Sequence, residues 1–518
     1  MKRTAFFLLY ALGTLFASAQ QSVSFSVASM NVDGLPAKIL FWDINPDGPG
    51  SDGSKLISQK LSTKDYDLIA FSEDFNYHGS LMSAISDRYY ASTHRGSISI
   101  TSLNYPFNTD GLCLLWKNIY TVGDESWTQW STFNGTTSNG NDGLIRKGFR
   151  HYVFTPASDI DIDVFILHMD AESDPEDIAA RESQWEQLTA TILEQYDNNR
   201  PKIVMGDTNS RYTREHIRTL FMNPIEATGR YAVGDPWVEF SRNGVYPTYG
   251  SWSINVADEG WQKGEIVDKV FYINPVAGAH IKAESYLVDT DFNKDDGTPL
   301  ADHYPVVVRF TAETPYFDTT ISTSRHNTIF VPFRVKVPEG VTAYYATRFE
   351  EDEKIYLQAT GNSIFESTCA VIYAQKTGTY RFLKTDKTTH GPKTNLLTGT
   401  DRPLKGSDRD PDMTYYTVSR HSNGAGFYRI TNTTTIPIFS AFLQKPTSEN
   451  PAFSYAFANG IANSIEAPAT QTDAEEGVTM YDLTGRRTQH TNTASPFTPS
   501  GIYLLRTKDG QVRKVLVR

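Results

Sequence analysis

The chain has 518 residues, 39 % apolar, 13 % aromatic and 21 % charged; this excludes a polytopic membrane protein and a charge-dominated disordered chain, and leaves room for two or three domains. A formal charge of −12 makes it a poor general binder of nucleic acid, because phosphate affinity rests on Lys and Arg. Two cysteines in this length exclude a disulfide scaffold and any Cys-built zinc site.

Lys2 and Arg3 precede an apolar run from Ala5 to Phe16, and Ala17-Ser18-Ala19 follows as a small-residue cleavage site. This is the pattern of a secretory signal peptide over residues 1–19. No Cys follows the site, so a lipid anchor is not expected, and no later stretch has the length of a transmembrane helix. The mature chain is expected to be exported, to the medium or the cell surface, and soluble. Ser24 to Met30 and Leu68 to Phe71 read as buried strands. Ile160, Ile162, Val164 and Ile166 alternate with Asp159, Asp161 and Asp163, which predicts a half-buried strand ending at His168. Asp174 and Pro175 open a helix as N-cap and first-turn residue, and Ile178, Trp185, Leu188 and Ile192 recur at helical spacing. Lys202 to Met205 predicts another strand, cut off by Gly206-Asp207. Strands alternating with helices indicate an α/β domain over residues 20–312. From 315 to 465 the chain is rich in Thr, Tyr, Phe and turn residues and reads as an all-β accessory domain. A linker at Glu466–Ala474 leads to a β-rich tail over 475–518. A bridge between Cys113 and Cys369 is left open by the sequence but not suggested by it.

Polar clusters punctuate the first domain, each at an apolar run: Asn31, Glu73, His168, Asp207 with Asn209, Asp268, and Asp302-His303. Singly each has a bland reading, since a strand His is more often a structural hydrogen-bonder and a Gly-Asp is usually a turn. Together they are carboxylates, carboxamides and two imidazoles, with no Ser nucleophile elbow, Walker loop or Rossmann glycine pattern. Hard oxygen ligands suit Mg²⁺, or another divalent cation, and imidazole beside carboxylate suits a general base acting on water. The set therefore points to a metal-dependent phosphoric ester hydrolase.

In order and kind these clusters resemble the endonuclease/exonuclease/phosphatase superfamily over roughly Val23–Phe310. Within it they are most similar to the secreted neutral sphingomyelinases, through Lys147-Gly148-Phe149, His168-Met169-Asp170-Ala171-Glu172 with Arg181 and Gln184, and Ala301-Asp302-His303-Tyr304-Pro305-Val306. The resemblance implies a four-layer α/β sandwich and a secreted Mg²⁺-dependent phosphodiesterase acting on a phospholipid head group, as in sphingomyelin to ceramide and phosphocholine. It implies Glu73 as main metal ligand with Asn31 beside it, and His303 as the base oriented by Asp268. Asp207 and Asn209 would position the nucleophile and phosphoryl group, His168 would donate to a phosphoryl oxygen, and Asp302 would support the metal or His168 side. Lys147 would either supply charge to the phosphate or be a solvated surface lysine; a structural salt bridge is expected for Arg181. The other readings are a phosphatase of soluble esters such as inositol phosphates, an extracellular nuclease (without extended nucleic-acid binding), and an inert binding or adhesion protein.

The sequence departs from that family at three places. Ser72 precedes Glu73 where a Gln or Asn is usual, and Ala301 stands where a Ser is usual. The aromatic hairpin that inserts into membranes is replaced by Val288–Gly297, acidic and with one aromatic, Phe292. Any contact with a membrane surface then falls to Trp237, Phe240, Tyr246, Tyr249, Trp252 and Trp261, for which core packing is the default expectation. The tail, through Tyr481–Arg486, Gly501–Leu505 and Lys514–Arg518, resembles the C-terminal sorting domain of Bacteroidetes type IX secretion, which implies contact with that secretion machinery.

Overall fold

Two sheets built from the predicted apolar runs pack face to face. In this computed structural model the described residues are 22–39, 42–98, 109–135, 142–143, 145–351, 353–387, 391–421 and 424–458, with three strands beyond residue 478. The expected signal peptide and the 466–474 linker lie outside them. One sheet orders the strands Ala277–Val288, Val306–Ile321, Ser22–Asn31, Leu68–Ser72, Cys113–Lys117 and Tyr89–Ala91. The other orders Tyr231–Gly234, Asp268–Pro275, Lys202–Asp207, Ile160–His168, Gly148–Ala157 and Thr121–Gln129. Their inner faces share one core, with Phe25, Val27, Leu68 and Leu114 from the first sheet against Phe154, Ile162, Val164, Ile166 and Met205 from the second. The helix Gly50–Ser62 covers the outside of the first sheet through Ile57 and Leu61, and the helix Pro175–Gln195 covers the second through Trp185, Leu188 and Ile192. The result is the four-layer α/β sandwich that the family resemblance implies.

The helix Pro175–Gln195 begins as its cap predicts, with Asp174 N–H donating to Asp177 Oδ2 at 2.8 Å in a capping box. Two strand expectations change. Ile160–His168 is buried on both faces, because the covering helix lies on its outer side and the Asp163 carboxylate there finds cationic partners. Lys202–Asp207 does not end at Met205. Gly206 stays in the ladder at φ 148°, where a Cβ would lie 2.0 Å from Leu167 O, so only glycine allows the two strands to close up beside Asp207.

Within each sheet one strand pair is parallel among the described residues: Ser22–Asn31 with Leu68–Ser72, and Ile160–His168 with Lys202–Asp207. Register aligns Asn31 with Ser72, and Asp207 with both His168 and Asp268. The polar strand ends therefore collect at one pole of the sandwich.

The change of texture after Thr314 falls inside one strand. Val306–Ile321 pairs with Ser22–Asn31 in its first half and with Gly378–Leu383 in its second, so the sheet continues into the following β-region. That region is built on a nine-stranded sheet, and Phe317, Ile329, Ile372 and Phe382 are among its buried core residues. Residues 460–518 form a separate compact unit with an antiparallel three-stranded sheet, Thr479–Asp482, Gly501–Arg506 and Val512–Val517. Cys113 and Cys369 are both free and buried. No described helix is long and apolar enough to cross a membrane.

Candidate active site at the strand ends

Asn31 ties the two sheets together at the pole. Its Nδ2 donates to Glu73 Oε1 at 2.9 Å and to Asp207 Oδ2 at 3.1 Å, while its Oδ1 accepts from Asp33 N–H at 2.9 Å. His168 Nε2 lies 3.6 Å from Asp207 Oδ2 and 3.9 Å from Glu73 Oε1, and Trp130 Nε1 donates to the His168 carbonyl at 2.7 Å. Asn209 N–H donates to Asp207 Oδ1 at 2.9 Å, and its Nδ2 to Met169 O at 3.3 Å. Asp33, Glu73 and Asn209 all sit in the left-handed region, at φ 48°, 60° and 47°. Such conformations in non-glycine residues concentrate at functional sites, where the surrounding structure holds them.

His303 Nδ1 and Asp268 Oδ2 are in direct hydrogen-bond contact, which leaves Nε2 to face the site; Asp302 Oδ2 lies 3.8 Å from it. Asp268 is buried, whereas the Asp302 side chain is two-thirds exposed. Burial disfavours the His303 imidazolium, but the facing carboxylates of Asp268 and Asp207 outweigh it and hold this group well above its ordinary value. His168 goes the other way. Burial, then the nearby Lys147 charge, pushes it down to about 3, so it is neutral at pH 7. Their surroundings thus shift the two imidazoles in opposite directions.

Lys147 is not the solvated surface lysine of one expectation. It is buried, ion-paired with Asp142, and donates to Met169 O at 3.1 Å. Its charge acts on Glu73 and Asp207. Arg181 is fully buried on Glu215 at 2.8 Å and donates to the carbonyls of Asp170, Ala171 and Glu172 at 3.0, 2.9 and 2.9 Å. It fixes the loop that leaves His168, which is the structural role expected of it.

All nine residues singled out from the sequence lie on or around this pole. The sequence reading missed Asp33, whose carboxyl is pushed up to about 6 by burial and then by Asp302. It stands two residues beyond Asn31, so the signal was present. Asp142 was also missed; it lies between the predicted elements with no pattern to mark it.

The donor set fits a hard divalent cation. Burial pushes Glu73 up to about 7, against the pull of Lys147 and Asn31, so its ionised form lacks charge compensation. A cation beside it would supply that compensation, with Glu73 as the carboxylate ligand and Asn31 alongside.

Residues 28–279 match the profile of the Endonuclease/Exonuclease/phosphatase family. A sphingomyelinase of Mycobacterium bovis is 25 % identical over 291 residues, covering 56 % of this chain and 53 % of that protein. The chain thus spans about half the length of the curated relatives it matches. Among solved structures, sphingomyelinase C from Streptomyces griseocarneus aligns with TM-score 0.36 at 17 % identity, covering 55 % of this chain and 99 % of that one. An endonuclease/exonuclease/phosphatase family protein from Bacteroides thetaiotaomicron aligns with TM-score 0.39 at 17 % identity, covering 57 % and 96 %. The sandwich domain that carries this constellation is thus an Endonuclease/Exonuclease/phosphatase domain, matched over residues 28–279.

Proposed function

We propose that the chain is a metal-dependent phosphodiesterase that cleaves a phospholipid head group, with sphingomyelin as the leading substrate. The observation that carries the reaction is the meeting of the Asn31–Glu73–Asp207–His168 network with the His303–Asp268 pair at one pole of the sandwich. In this reading His303 Nε2 takes the proton of the attacking water, while Asp268 orients the ring through Nδ1. Neutral His168 donates a hydrogen bond to a phosphoryl oxygen. Asp207, fixed by Asn31 and the Asn209 amide, positions the nucleophile, and Asn209 positions the phosphoryl group. Bound at Glu73 and Asn31, Mg²⁺ or a similar cation would neutralise charge building on the phosphoryl oxygens. Lys147 acts indirectly, its charge favouring the ionised forms of Glu73 and Asp207.

The lipid substrate is supported by the 240–261 segment. Trp237 is buried as core packing requires, but Phe240, Tyr249, Trp252 and Trp261 are exposed, Trp252 to 95 %. Trp261 packs edge-on against Tyr304, next to His303, with ring centroids 4.7 Å apart. Exposed aromatics in a segment that reaches the neighbour of the general base through Trp261 suit a substrate with an apolar body at a membrane surface. The sphingomyelinase relatives point the same way. We assign residues 1–19 to a signal peptide, 315–465 to an accessory domain and 475–518 to a sorting-type tail, which together make the enzyme secreted.

The test is hydrolysis by the purified protein with Mg²⁺, and with chelator, of sphingomyelin vesicles, inositol phosphates and plasmid DNA in parallel. Chelator-sensitive phosphocholine release is expected. Cleavage of plasmid or inositol phosphate with sphingomyelin left intact would overturn the substrate assignment, and phosphocholine release that survives His303→Ala would overturn the mechanism.

A further inference from the structure

A second group of metal-ligating side chains lies outside the catalytic network. Asp74 follows Glu73, and its buried carboxylate meets His78, the first residue of the short helix His78–Leu81, and Cys113, the first residue of the strand Cys113–Lys117. One donor atom from each of Asp74, His78 and Cys113 lies within 4.8 Å of the other two. Asp74 Oδ2 stands 2.6 Å from His78 Nδ1, but its other oxygen, Oδ1, is buried with no hydrogen-bond partner. An orphaned carboxylate oxygen in such a place calls for a missing partner. A second imidazole flanks the group. His94 stacks on His78 with centroids 4.6 Å apart, and its Nε2 bonds the Asp74 backbone carbonyl at 2.9 Å and lies 4.0 Å from Asp74 Oδ1. Both histidines are about one-fifth exposed, which leaves an entry path from solvent.

We propose that Asp74, His78 and Cys113 bind a zinc-class divalent cation, with His94 stacked beside it on His78. Carboxylate, imidazole and thiolate together form a borderline-soft donor set that suits Zn²⁺, whereas Mg²⁺ requires near-octahedral oxygen ligation. Two cysteines are too few for a zinc site built from thiolates, but one thiolate completes a mixed set. On binding, the Cys113 thiol proton is released to solvent, and the proton that His78 Nδ1 donates to Asp74 moves to Nε2 or, from a doubly protonated ring, to solvent, which frees the Nδ1 lone pair for the metal. The site would fasten the backbone behind Glu73 to the neighbouring strand, a positioning role separate from the hydrolytic chemistry.

The experiment is a titration of the chelator-stripped full chain with Co²⁺ alone, read by the thiolate-to-cobalt charge-transfer band and the visible bands of four-coordinate cobalt. A thiolate band saturating at one equivalent and displaced by Zn²⁺ is expected. It should be lost in Cys113→Ser, weakened at least tenfold in apparent affinity in His78→Ala, and retained in Cys369→Ser and Glu73→Gln. The absence of a thiolate band in the unmodified protein would overturn the proposal. So would a band unchanged in His78→Ala, which carries the test if Cys113→Ser fails to fold.

Discussion

The strands Ile160–His168 and Lys202–Asp207 run side by side and carry a buried polar cluster at each end, and the two clusters differ in kind. At one end, in register, Asp163 and Lys202 are both fully buried. Asp163 also takes His151 at 3.0 Å and Asn198 at 2.9 Å, and Lys202 donates to Asn198 at 3.0 Å and to Arg200 O at 3.1 Å. His151, then Lys202 and Asn198, outweigh burial and hold Asp163 down at about 2, while burial pushes Lys202 down to about 8. Both remain ionised at neutral pH. Five residues further along, in the same register, stand His168 and Asp207. There His168 Nδ1 has no partner, Glu73 is pushed up to about 7, and the backbone at Glu73 and Asn209 is left-handed. Buried charge by itself does not mark a site. Buried charge with its partners left incomplete does, because that incompleteness is what a substrate or cation can fill.

The comparison can be broken most severely at His303. His303→Ala should reduce turnover by about 10²–10⁴-fold with little change in melting temperature, measured by phosphocholine release and calorimetry; a large loss of stability would make the pole structural after all. Asp163→Asn should do the reverse. It leaves Lys202 buried without its counter-charge and should cost about 3–5 kcal/mol in denaturant unfolding, while activity per folded molecule is kept. The sign of its pH dependence follows from the lowered value. The Asp163 contribution is complete above the ordinary aspartate range near 3.8 and is lost as pH falls through about 2, so acid unfolding of the unmodified protein should be steeper there than that of the variant.

A smaller effect sharpens the catalytic half. Asp268→Asn removes the carboxylate that raises His303, so the acid limb of the kcat/KM profile of the Mg²⁺-loaded enzyme should move to lower pH by about 1–3 units, with a reduced plateau. A limb that stays in place would mean that His303 is not the titrating base. The least change is expected at the rim. Trp252→Ala should weaken sedimentation with sphingomyelin vesicles by roughly tenfold or less and leave hydrolysis of a water-soluble phosphodiester unaltered.

Much of the candidate site was legible in the sequence because its members stand at strand ends, where an apolar run stops at a polar residue. Asn31, His168 and Asp207 are each the last residue of a strand, and Glu73 follows one immediately. The aromatics of the 240–261 segment were not legible. Trp237 and Trp252 read alike in the sequence, yet one is buried at 5 % and the other exposed at 95 %, because only the first lies on a helix packed against the sheet.

Element types, the alternation that makes an α/β domain, and the acids, amides and imidazoles at hand could all be read from the residues in order. Those are local properties, carried by periodicity of 2 or 3.6 and by caps and breaks a few residues long. Folding was needed to pair Ser22 with Glu313, to bury Lys147 against Asp142, and to bring Asp163 to Lys202. It also brought Cys113 to Asp74. Such contacts join residues distant in the chain or lying on different elements, and burial and charge compensation exist only once the sheets have closed on each other.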